Sequence, residues 1–223
     1  MSAAAISMLS PSARRTEAGA PAAAVATIYD LKPLFQELLR PAAFALATRG
    51  ITANQLTAAA LALSACGGLA LTLWPRERLP LLVLPALLLV RMALNALDGM
   101  LAREFDQASR LGALLNELGD VLADVLLYLP LGLIPGVPPL LLALVVVLGV
   151  ISEMAGVVAV QIGGRRRYEG PLGKSDRAFA FGALALLLGL GVPAGAWTSL
   201  VLGVMVVLAL LTIGNRARRA LAP

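Results

Sequence analysis

Asn95-Ala-Leu-Asp98-Gly99-Met-Leu-Ala102-Arg103, followed by Gly112-Ala-Leu-Leu-Asn116-Glu117-Leu-Gly-Asp120-Val-Leu-Ala-Asp124, sets oxygen-bearing side chains inside two long apolar stretches. Even on a lenient insertion scale, a charged side chain near a bilayer centre costs at least ~2.5 kcal/mol, so such residues line a cavity or bind an ion. Asn95, Asp98, Gly99 and Ala102 are three or four apart and share one side of a helix. Gly112, Asn116, Asp120 and Asp124 are each four apart and form a slowly drifting stripe on the next helix. A short polar link, Glu104–Arg110, lets the two helices run antiparallel, so both stripes face one cleft. Gly and Ala on the same faces leave room for a ligand beside the oxygens.

The rest of the chain identifies the solvent around these helices. Of 223 residues, 59% are hydrophobic and only 14% charged. A soluble domain sits nearer half apolar and a quarter charged, and this length cannot hide the excess from water. Lipid is the fitting solvent. The single cysteine, Cys66, excludes a disulfide framework, and the absence of histidine excludes Cys/His zinc sites. Acid–base work falls to carboxylates, Lys, Tyr or water. The net charge of +5 comes from Lys and Arg beside apolar runs. That pattern points to membrane topology and anionic lipid, not to nucleic acid.

Along the chain, residues 1–26 are rich in Ala, Ser and Pro and read as a disordered tail, with an organelle transit peptide as the minority reading. Residues 27–50 alternate Leu and Phe with charge at helical spacing and read as an amphipathic interfacial helix. Residues 51–215 hold six expected spans: about Thr52–Trp74, Leu79–Asp98, Leu111–Ile134 and Leu140–Ile162, then two divided by Gly191-Val-Pro193-Ala-Gly195. Residues 216–223 form a basic tail. Lys and Arg concentrate in the N-terminal segment, the Arg103–Arg110 and Arg165–Arg177 loops and the C-terminus, which places both termini in the cytoplasm. Trp74 and Trp197 fall at the opposite interface, as aromatic belts do. The expected class is an all-α integral membrane protein.

Asp and Asn oxygens without His or Cys form a hard-ligand set, suited to Mg²⁺ or Mn²⁺ with phosphate oxygens. Arg103 adds a bidentate phosphate donor. These are the parts of a phosphoryl-transfer site, with a carboxylate to take the attacking hydroxyl's proton. In the Gly170-Pro-Leu-Gly173-Lys174-Ser175-Asp176-Arg177 loop, plain topological charge competes with a second phosphate or acceptor site built on Lys174 and Arg177. Glu153, deep in the fourth span, has Arg91 as a possible partner.

At these residues the sequence resembles the CDP-alcohol phosphatidyltransferase family, whose signature is D-x-x-D-G-x-x-A-R-x8-G-x3-D-x3-D. Asp98, Gly99, Ala102, Arg103, Gly112 and Asp120 match in register, while Asn95 and Asn116 replace the first and third aspartates. The resemblance covers roughly residues 28–215. It implies transfer of a phosphatidyl-type group from a CDP-linked lipid to a hydroxyl-bearing acceptor with release of CMP, in phospholipid biosynthesis in the bacterial inner membrane. It further implies two divalent metals held at the motif positions (Asn95, Asp98, Asn116, Asp120), with Asp120 as base. Gly99, Ala102, Arg103 and Gly112 then belong to the CDP site, with Thr57 a further candidate, and the protein is a homodimer.

Asn ligates through a neutral carbonyl, so the two replacements weaken a two-metal site. Two neighbouring carboxylates can compensate: Asp124, a substitute metal ligand one turn further along the stripe, and Glu117, about 100° off it. Two metals, one metal and a catalytically dead site all remain open. The expectation is an active enzyme with Asp98 an essential ligand. The rivals are a non-catalytic protein that binds nucleotide or lipid, and a small transporter.

Overall fold

The computed structural model describes residues 32–222. The expected disordered tail, and the start of the interfacial helix, lie outside the described residues. Seven α-helices follow: α1 Lys32–Thr48, α2 Ala53–Leu73, α3 Arg78–Glu104, α4 Arg110–Tyr128, α5 Pro139–Gln161, α6 Lys174–Gly189 and α7 Ala196–Leu221. No strand occurs among the described residues.

Local chemistry starts these helices. Thr52 caps α2: its hydroxyl accepts from the Gln55 N–H, and the Gln55 side chain accepts from the Thr52 N–H. Ser109 caps α4 by accepting from the Gly112 N–H at 2.9 Å. The Asp176 carboxylate accepts from the Gly173 N–H at 2.9 Å where α6 begins. A 3₁₀ turn over Leu129–Leu133, with Pro130 at its start, ends α4.

The turns sort to two ends, so helices α2 to α7 alternate in direction. At one end Thr198 donates to the Gly136 carbonyl at 3.4 Å, and the Arg78 guanidinium lies beside Gly191. At the other, Gln107 accepts from the Ala53 N–H at 2.8 Å, and Arg167 donates to the Arg219 carbonyl at 2.6 Å. Helix α2 packs on α3 and α4, α3 on α6, and α5 on α7. The main core gathers Leu84, Leu127, Leu131, Leu142, Phe181 and Leu202, all fully or nearly fully buried. In it Tyr128 stacks on Phe181 with ring centroids 4.1 Å apart. A smaller cluster, Ala43, Ala53, Leu56, Leu97, Met100 and Leu101, seats α1 beside the end of α3.

The outer surface is apolar. On α4, Leu111, Leu114, Leu118 and Leu122 are exposed at steps of three and four, opposite the Asn116–Asp120–Asp124 stripe. Four helices, α2, α3, α5 and α7, are long and apolar enough to cross a membrane. The expected six spans therefore stand at four by this measure. Helix α4 carries three carboxylates (Glu117, Asp120 and Asp124), and α6 is only 16 residues long. Helix α1 exposes Leu34, Leu38 and Phe44, and Arg40 ties it to Glu104 at the end of α3 with a 2.8 Å ion pair. The expected basic tail instead continues α7 to Leu221.

Candidate active site

The motif helices meet as their spacing implies. Helix α3 carries Arg91, Asn95 and Asp98 on successive turns, and α4 presents Asn116, Asp120 and Asp124. Asp98 is buried and accepts from the Thr57 hydroxyl of α2 at 2.7 Å. Asn95 Nδ2 donates to Asp120 Oδ1 at 2.9 Å. Lys174, the first residue of α6, forms an ion pair with the same Asp120 oxygen. Three helices thus converge on Asp120, and Asp98 feels the charges of both Asp120 and Lys174. Asn116 is half-buried and makes no hydrogen bond among those described. Arg103 is exposed, without an ion-pair partner among the described residues, and its guanidinium folds against Gly99, where a larger side chain would displace it. Gly112 lies beside the Asn54 carboxamide and the Ser109 hydroxyl. Ala102 is half-buried, next to the small cluster under α1.

One turn deeper the chemistry changes. Asp124 is buried, with both oxygens taken: Oδ1 accepts from Arg91 Nη1 at 2.7 Å, and Oδ2 from Arg177 Nη2 at 2.9 Å and Nε at 3.2 Å. Arg177 also binds Glu153 at 3.1 Å and the Ser152 hydroxyl at 3.2 Å. Glu153 in turn faces Arg216 and Arg166, each at 3.4 Å. Arg166 closes the array on Glu117 through two 2.5 Å hydrogen bonds. Burial alone disfavours the Arg166 charge, but those bonds and the Glu117 carboxylate raise its pKa above the ordinary arginine value. In the neighbouring loop, burial also opposes ionisation of Glu169. The N–H groups of Glu169 and Tyr168, with Arg167 and Arg219 nearby, outweigh it and hold that carboxyl below its usual range.

Asp124, expected among the metal ligands, is therefore committed to two guanidinia. Arg177, expected at a phosphate or acceptor site, is buried and serves Asp124 and Glu153; Lys174 alone of that pair reaches the motif. Arg91 does not touch Glu153 as expected, because Asp124 and Arg177 stand between them. Glu117 is held by Arg166 rather than standing in for a motif aspartate.

The family model for CDP-alcohol phosphatidyltransferases matches residues 50–214, most of the chain. The chain belongs to the CDP-alcohol phosphatidyltransferase family. A relative within reach is the inner membrane protein YnbA of Escherichia coli (strain K12), 47% identical over 195 residues, which cover 87% of this chain and 96% of that protein. Placed in that family, the residues sort into an outer set, Thr57, Asn95, Asp98, Asp120 and Lys174, and the buried arginine–carboxylate layer beneath it.

Sequence reading missed Arg216, taken for tail charge. It is 1% exposed. It donates to the Ser152 carbonyl, to Tyr168 O at 3.3 Å and to Glu169 O at 3.4 Å. A signal was present: Thr198, Leu202, Met205, Ala209, Thr212 and Arg216 follow one another at three or four residues and are all buried. The same holds for Arg177, which precedes Phe181, Leu184 and Leu188 on the inner face of α6.

Proposed function

We propose that this family member is a membrane-embedded transferase. It moves a phosphatidyl-type group from a CDP-linked lipid, such as CDP-diacylglycerol, to a hydroxyl acceptor in phospholipid biosynthesis, and releases CMP. The observation that carries this reading is the meeting of Asp98, Asn95, Asp120 and Lys174 from α3, α4 and α6, with Arg103 unpaired beside them.

Asp98, Asp120 and the carboxamide oxygens of Asn95 and Asn116 are hard donors and fit Mg²⁺ or Mn²⁺. Two of these four donors, Asn95 and Asn116, offer neutral amide oxygens in place of carboxylates. A bound dication would neutralise the diphosphate of the nucleotide-lipid. Thr57 orients the Asp98 carboxylate by its hydrogen bond. Asn95 and Lys174 fix Asp120 through Oδ1, which leaves Oδ2 to take the acceptor's proton. The acceptor oxygen then forms its bond to the lipid-side phosphorus. The phosphoanhydride bond breaks, and CMP departs with the electron pair and a charge that Arg103 is placed to meet. Gly99 and Ala102 keep that face open for the nucleotide, and Gly112 lets Ser109 and Asn54 approach the start of α4.

The same reading takes α4 and α6 as spans. The carboxylates of α4 turn inward to Arg and Lys while its Leu stripe turns outward to lipid, and Arg177 of α6 is paired inside the bundle. Helix α1 then lies in the interface with Leu34 and Leu38 toward lipid. Both termini face the cytoplasm of a bacterial inner membrane, and family resemblance supports a homodimer. The decisive experiment incubates purified protein with CDP-diacylglycerol and a panel of alcohols, and follows CMP with and without Mg²⁺ or Mn²⁺. Metal-dependent CMP release is expected. Its absence with every acceptor leaves a nucleotide- or lipid-binding relative that has lost catalysis.

A further inference from the structure

The site nearly balances its charges. Arg91, Arg166, Lys174, Arg177 and Arg216 equal Asp98, Glu117, Asp120, Asp124 and Glu153 in number, and Arg103 stands exposed beside them without an ion pair among the described residues. Two motif positions that face the same cleft, Asn95 and Asn116, carry no charge. The diphosphate bridge of a CDP-linked lipid brings two negative charges. A single divalent cation offsets them. A second would leave two positive charges unmatched in a low-dielectric bundle, where they are costly. The ligand count agrees. Asp124 and Glu117 are both bound to guanidinia, so only Asp98 and Asp120 remain as anionic donors, and Asp120 already holds the Lys174 ammonium.

We infer that this transferase works with one divalent cation per chain, and that the Lys174 ammonium stands beside the diphosphate in place of a second ion. The inference rests on the reading of the site as a CDP-lipid transferase. Asn95 and Asn116 then act as neutral oxygen donors or hydrogen-bonding groups. Asn95 performs the second task now, by orienting Asp120.

Titration of Mn²⁺ into the purified full-length protein, in nanodiscs containing CDP-diacylglycerol, tests this by electron paramagnetic resonance. One bound ion per chain with the six-line spectrum of an isolated Mn²⁺ is expected. The double variant Asn95→Asp/Asn116→Asp is expected to take up a second ion and give a spin-coupled signal. Lys174→Gln is expected to weaken CDP binding about tenfold in calorimetric titration, with Mn²⁺ stoichiometry unchanged. Two coupled ions in the unaltered protein would overturn the inference and leave the transferase reading standing. No ion bound in the presence of CDP-diacylglycerol would overturn both. Unchanged CDP affinity in Lys174→Gln would remove the lysine from its role.

Discussion

Asp120 and Asp124 sit one helical turn apart on α4 and differ in what surrounds them. Asp120 is partly open, at 19% side-chain exposure, and is met by one ammonium and one carboxamide, with the Arg91 guanidinium further off at 3.7 Å. Asp124 is closed between two guanidinia. The same substitution must therefore act differently at the two positions. Asp120→Asn removes the proton acceptor and is expected to slow CMP release by roughly 10²–10⁴-fold, with the thermal midpoint in detergent nearly unmoved. Asp124→Asn leaves Arg91 and Arg177 without their shared counter-charge inside the bundle. It is expected to destabilise the fold by about 3–5 kcal/mol, seen as a large fall in that midpoint. If instead Asp124→Asn folds as well as the parent and loses only turnover, the division between reacting and structural carboxylates is misplaced. Lys174→Ala and Arg177→Ala separate by the same logic: substrate affinity is lost in the first and folding in the second.

At the scale of elements, the packing that brings α3 and α4 together depends on α2 lying close to both. Gly68 of α2 abuts the backbone of Leu126, so a methyl group there has no side chain to push aside. Gly68→Ala is expected to force α2 from α4 and cost about 1–3 kcal/mol, while Gly203→Ala, on an open face of α7, is silent in the same thermal assay. The loop between α5 and α6 is fastened electrostatically: Glu169 meets Arg167 and Arg219, and the Leu172 N–H donates to the Thr212 hydroxyl at 2.9 Å. The Glu169 carboxyl lies below its ordinary value of 4.5. Its contribution is therefore complete above that value and is lost as pH falls through the lower folded value. Amide protection in residues 165–172, taken relative to the intrinsic exchange rate at each pH, is expected to fall in acid compared with about pH 6, more in the parent than in Glu169→Gln, where it is lowered already at the higher pH. These contacts also mark the limit of what sequence displays. The helices were legible because apolar runs and Gly/Pro breaks depend on near neighbours in the chain. The Asn95–Asp120 meeting was legible because a short link forces α3 and α4 together. The Arg177–Asp124 and Glu153–Arg216 pairs depend on α6 packing against α3 and α5 against α7, pairings between helices distant in the chain that no local pattern encodes.

For the whole molecule, orientation follows from where uncompensated basic residues lie. The buried layer consumes Arg91, Arg166, Arg177 and Arg216, so these add nothing to a topological signal counted at the surface. Arg49, Arg103, Arg110, Arg165 and Arg218 remain at the end that holds the motif; Arg76 and Arg78 stand at the other. The excess still favours the motif end in the cytoplasm after the internal pairs are set aside. Single-cysteine labelling in a Cys66→Ala background checks the assignment. Ala194→Cys, in the turn before α7, is expected to react with a membrane-impermeant maleimide in intact cells. Ala220→Cys, at the end of α7, is expected to react only after permeabilisation. Reaction of both in intact cells would mean that α7 does not cross. Reaction of Ala220→Cys alone would invert the molecule and put the phosphate-facing site outside the compartment where CTP-derived nucleotide lipids are made.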